Sequence, residues 1–106
     1  MNEELKAMLE RLHSRPELYI GGRLLTRLLD FMDGYVHCMF VRDGEIPSFL
    51  PYDFHAFVLD YYGLESSFRG FADVIRFFET SEENAFERFF ELLENAWKTE
   101  MKININ

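Results

Sequence analysis

Apolar residues recur along this chain at spacings of three and four, the period of a helix, and no long segment alternates as a half-buried strand would. Leu5, Met8, Leu9 and Leu12 form one stripe over a first predicted helix from about Asn2 to His13. Asn2 is placed to cap it, and Glu3 and Glu4 sit in its electropositive first turn. Pro16 ends it. Proline disfavours helical backbone in the residue before it, so Arg15 should be extended and Pro16 to Tyr19 should be a short turn closed by Gly21 and Gly22.

The second helix, about Leu24 to Phe40, carries Leu25, Leu28, Leu29, Met32, Tyr35, Val36, Met39 and Phe40 on a broad apolar face and should be central. Turn formers from Arg42 to Ser48 follow, and Pro51 suits the first position of a third helix near Tyr52 to Tyr62 that buries Phe54, Phe57, Val58 and Tyr61. Gly63 stands where a left-handed cap should stop it. Phe71, Val74, Ile75 and Phe78 mark a short fourth helix after Gly70. Thr80-Ser81-Glu82-Glu83 reads as a capping box for the fifth, about Glu82 to Lys98, which turns Phe86, Phe89, Phe90, Leu93 and Trp97 inward. Residues 101–106 read as a frayed end or an edge segment. The expected fold is all-α, a single domain over residues 1–106 built as a compact orthogonal bundle of about five helices, the second and fifth at its centre.

Composition narrows the function. Hydrophobic residues make up 48% of the 106, enough apolar surface to offset the entropy of ordering, so the chain should fold by itself. The net charge of -8 repels phosphate backbones and anionic headgroups, which makes nucleic acid and membrane surfaces poor partners and a basic protein a good one. A lone cysteine and an N-terminus without the pattern of a secretion signal point to the reducing cytosol. The most apolar stretch, Leu24 to Val41, is broken by Arg27, Asp30, Asp33 and His37 and should not span a bilayer, which takes about 20 apolar residues.

Candidate chemistry is sparse. His13, His37 and His55 lack a second ligand at metal spacing, and His37 and Cys38 are adjacent, so a helix points them to different sides. Cys38 reads as a small hydrophobe of the core or its margin. Gly21-Gly22 lacks the full glycine spacing of a phosphate loop. Glu87, Glu91 and Glu94 fall on the solvated side of the last helix, where acid–base catalysis would need a pocket the pattern does not indicate. No metal, no cofactor and no enzymatic activity are expected.

Two strings remain distinctive. In the first, Arg15, Pro16, Tyr19, Gly21 and Gly22 suit a structured corner, with Arg15 capping the first helix and Tyr19 burying its ring. In the second, Phe54, His55 and Phe57 precede Tyr61-Tyr62-Gly63, and Tyr62 is left toward the rim as a contact for a partner. With Asp33-Gly34-Tyr35 and the late series Ala85, Phe86, Phe89, Phe90, Leu92 and Leu93, these strings resemble a group of small bacterial proteins of the toxin-immunity type; Phe57 and Phe71 stand where that pattern has Trp.

The resemblance implies a non-catalytic binder that neutralises a cognate toxin by occluding it. Small size, acidity and rich aromatic content suit that role, with Asp60, Tyr62, Glu87, Glu91 and Glu94 as expected contacts to a basic partner. Two alternatives stay open: a homodimeric structural or regulatory adaptor, and a small-ligand binder or enzyme using an interhelical cavity near Arg15, Tyr19 and His55.

Overall fold

Asn2 begins the first helix as expected: its Oδ1 accepts from the backbone N–H groups of Glu4 at 2.8 Å and Leu5 at 3.2 Å, satisfying donors that a helix start leaves free. The computed structural model describes the backbone of residues 2–105 and the side chains of residues 2–100. Six helices are found there and no strand: α1 (Glu3–Ser14), α2 (Pro16–Tyr19), α3 (Leu25–Asp43), α4 (Phe54–Tyr61), α5 (Phe71–Glu79) and α6 (Glu82–Ile105). The fold is an all-α bundle.

The buried side chains form one cluster built on α6, whose Ala85, Phe86, Phe89, Leu92, Leu93 and Ala96 recur at helical spacing. Leu5, Leu9 and Leu12 of α1, Leu25, Leu28, Met32 and Met39 of α3, Phe54 and Val58 of α4, and Val74 and Ile75 of α5 close around it. Phe54, Phe71 and Phe89 meet there, with ring centroids 5.1 to 6.1 Å apart. The offset and edge-on packing of such rings adds to the free energy of burying their area.

Several boundaries and orientations differ from expectation for identifiable reasons. Pro16 to Tyr19 is a helical turn rather than an open one, because Pro16 takes the first helical position and the N–H of Ile20 donates to its carbonyl at 2.8 Å. The second predicted helix runs on to Asp43, where Gly44 closes it at φ 80°. The third starts only at Phe54, since Asp53 supplies the cap and Pro51 lies buried in the loop before it. The last helix continues to Ile105, so the tail is neither a frayed coil nor an edge segment as far as that residue; Asn106 lies outside the described residues.

Cys38 is exposed, not in the core or its margin. Met39 takes the inward position, and the residue before it is turned about 100° away. Tyr19 keeps its ring exposed with an edge contact to Phe31, and Arg15 is exposed, its backbone N–H rather than its guanidinium closing α1 onto Arg11. Phe57 is only half-buried, and Phe40 and Phe78, placed on inward faces by spacing, are exposed at the ends of their helices. At Gly21 the backbone is left-handed at φ 83°, and a Cβ there would stand 2.7 Å from Nη1 of Arg27, which donates to the Ile20 carbonyl at 3.1 Å. The corner therefore needs glycine for its conformation, whereas the flexible end of Arg27 can move aside from a Cβ.

Candidate functional site: an aromatic surface across three helices

Gly63 turns left-handed at φ 73°, its N–H donating to the Asp60 carbonyl and that of Leu64 to the Leu59 carbonyl. This stops α4 sharply and leaves Tyr61 and Tyr62 at its end. Thr80 does the same for α5 at φ 64°, an uncommon conformation for a β-branched residue. The Ser81 hydroxyl then accepts from the N–H of Asn84 at 3.1 Å to start α6. The expected capping box does not form: Thr80 closes α5 instead, so the cap of α6 falls to Ser81 and the third helical position to Asn84 rather than to Glu83, while Glu82 accepts from the backbone N–H and the hydroxyl of Thr26. The tight corner sets Glu79, the last residue of α5, beside Arg88 of α6.

Four rings follow one another over this corner. Tyr61 meets Tyr62 edge-on at 4.8 Å, Tyr62 stacks on Phe78 at 4.5 Å, and Phe78 meets Phe77 edge-on at 5.2 Å. Phe77 is 76% exposed, Tyr61 46% and Phe78 41%, so the run forms a greasy surface that the fold itself leaves uncovered. The guanidinium of Arg88 lies 5.3 Å from the centre of the Tyr61 ring. Its Nε donates to Glu79 Oε2 at 3.1 Å and its Nη1 to Glu91 Oε2 at 2.8 Å. With Glu79 16% exposed and Arg88 28%, this pair is partly shielded from water, and removing either partner would strand a charge. Burial works against the Arg88 charge, but the Glu79 carboxylate outweighs it and holds the guanidinium above its ordinary pKa.

The two adjacent tyrosines exchange their expected places. Tyr62 is half-buried, its hydroxyl donating to Glu79 Oε2 at 2.7 Å, while Tyr61 faces solvent. Burial first, then that hydrogen bond and the charge on Glu79, push the Tyr62 phenol well above the usual tyrosine range. An unfolded chain gives up this proton near pH 10, whereas the folded one retains it. The group's stabilising contribution is therefore complete below about pH 10 and is lost as pH rises further. Denaturant midpoints should fall in that alkaline range, and Tyr62→Phe should flatten the fall; an unchanged profile in the variant would contradict the Tyr62–Glu79 contact.

The expected contact residues do not form one surface. Tyr62 and Glu91 belong to the aromatic corner through Glu79 and Arg88. Asp60 is exposed on the outward side of α4. Glu87 is held by His13 at 3.2 Å and Arg23 at 2.9 Å, at the junction of α6 with α1 and the loop before α3. Glu94 pairs with Lys98 at 3.1 Å. Three of the four expected acids are thus already matched by bases of the chain itself. Phe77, Phe78, Arg88 and Glu79 were not anticipated. The neighbouring pairs Phe77-Phe78 and Tyr61-Tyr62 carried a signal, since consecutive helical positions cannot both face one core.

A groove of about 880 Å³ lies between α1 and α6, and none of Arg15, Tyr19 and His55 lines it. Among the described residues no three His, Cys, Asp or Glu side chains are grouped to hold a metal, and no helix is long and apolar enough to cross a membrane. Compared with known proteins, the chain matches no family model, no curated protein and no solved structure.

Proposed function

We propose that this chain is a non-catalytic protein-binding module and that it serves as a cytoplasmic bacterial immunity protein, neutralising a toxin by covering it. The observation that carries the binding reading is the exposed run of Tyr61, Phe78 and Phe77 beside Arg88. Aromatic side chains and arginine are the residue types that dominate interface energetics, and rings fixed by stacking lose little entropy on binding. The net charge of -8 favours encounter with a basic partner. The toxin assignment rests on the resemblance of the Arg15 to Gly21, Asp33 to Tyr35, Phe54 to Val58 and Ala85 to Leu93 strings.

Co-expression tests the assignment. Cells carrying a toxin domain encoded beside this chain should resume growth when the chain is supplied, and the two should copurify. Failure to protect against any neighbouring toxin removes the immunity reading. Sedimentation separates the rival adaptor reading, in which the same aromatic surface pairs with a second copy: a dimer whose population follows concentration, and which Phe77→Ala abolishes, would favour that alternative.

A further inference from the structure

The groove between α1 and α6 lies away from the aromatic corner. Arg88 and Trp97 are nine positions apart on α6, which places them roughly 180° from one another around the helix. The two helices run in opposite senses along the groove: His13, at the end of α1, stacks on Phe90 at 4.1 Å, whereas Glu3 and Lys6 share the cleft with Trp97 and Glu100. From His13 back to Glu3 is ten residues, roughly 15 Å of helix. That length matches two to three turns of a third helix laid alongside.

The floor is apolar, made of Leu9, Phe90, Leu93 and Trp97. Trp97 is held in place by its Nε1, which donates to the Phe49 carbonyl at 3.2 Å. The rims are acidic: among the described residues Glu3, Glu10, Glu94 and Glu100 outnumber Lys6 and Lys98, and His13 at the far end is taken up by Glu87. The Glu94–Lys98 pair is more than 60% exposed on both sides and therefore weak, so a better placed cation can displace it.

We infer that this groove is a docking cleft for a basic amphipathic helix of a partner protein. Its apolar stripe would settle over Leu9, Leu93 and Trp97, and its lysine or arginine side chains would meet Glu10, Glu94 and Glu100. Both walls are helices whose backbone groups are already paired, so an extended peptide finds no strand edge to join. The carboxylate rims repel anionic headgroups. The inference does not depend on the toxin reading and does not involve the aromatic corner.

Trp97 is the single tryptophan of the chain and reports the cleft directly. The full chain is titrated with a synthetic helical peptide carrying leucine along one face and lysine elsewhere. Controls are the same peptide with glutamate for lysine and a scramble that breaks the leucine face. A saturable change in Trp97 emission is expected with the first peptide alone. Glu10→Lys combined with Glu94→Lys should weaken binding by about tenfold or more. Glu65→Lys combined with Glu83→Lys, the same charge change at exposed positions outside the lining of the cleft, should leave it within about twofold. Amide shifts of the unaltered chain should gather on α1 and α6, a readout independent of how the variants fold. No saturable response, an equal response to the glutamate or scrambled peptide, equal weakening by the remote pair, or shifts gathered elsewhere would each overturn the inference.

Discussion

Phe89→Ala is expected to remove about 3–5 kcal/mol of folding free energy in a denaturant titration. Phe89 is fully buried on α6 and touches the rings of Phe54, Phe71 and Phe90, so its loss opens a cavity where α4, α5 and α6 converge. Cores of this density relax only partly around such a void, and the loss of contacts adds to the loss of transfer free energy. A domain of this size has a total stability on the order of 5–15 kcal/mol, so the variant should stand close to its unfolding threshold at physiological temperature. Phe77→Ala is the matched control. The same atoms are deleted from a ring that is 76% exposed, and the expected change is within about 0.5 kcal/mol. A loss below about 1 kcal/mol for Phe89→Ala would contradict the placement of α6 at the centre of the bundle.

That contrast between two phenylalanines marks what spacing along the chain conveys. Phe86, Phe89 and Leu93 repeat at three and four positions over a long helix, and their burial was legible because any helix with that stripe has one face to hide. The four residues of α2 are too few to show a period, and proline at the front of a helix reads the same as proline in a turn. Tyr61 and Tyr62 were legible as a pair but not in order. Which of the two goes inward depends on where α5 packs, and only the fold supplies that. The acids of α6 show the same limit. Pairs within one helix, Arg88 with Glu91 and Lys98 with Glu94, follow from i,i+3 and i,i+4 spacing. The partners of Glu87 come from 74 and 64 residues away, so a carboxylate that reads as free is bound to His13 and Arg23.

On the proposed function, Phe77→Ala should weaken binding to the toxin partner by about 2 kcal/mol or more, roughly thirtyfold in Kd, while thermal stability stays unchanged. Phe77 contributes little to the core, yet it ends a run of rings fixed by Phe78 and Tyr62, so a partner meets a side chain already held in position. The loss should appear mainly in the dissociation rate, because truncating an apolar anchor leaves long-range attraction intact. Glu91→Gln should act the other way. It removes one charge at the edge of the same surface and should slow association at low salt with little effect on dissociation. Arg88→Lys separates charge from shape: lysine keeps the cation but cannot bridge Glu79 and Glu91 with a planar fork while lying over the Tyr61 ring. Binding should therefore drop even though net charge is constant. Biosensor traces with the copurified partner, read beside growth protection, provide the measurement. Full affinity retained in a Tyr61→Ala, Phe77→Ala double variant would move the interface off the α4–α5–α6 corner.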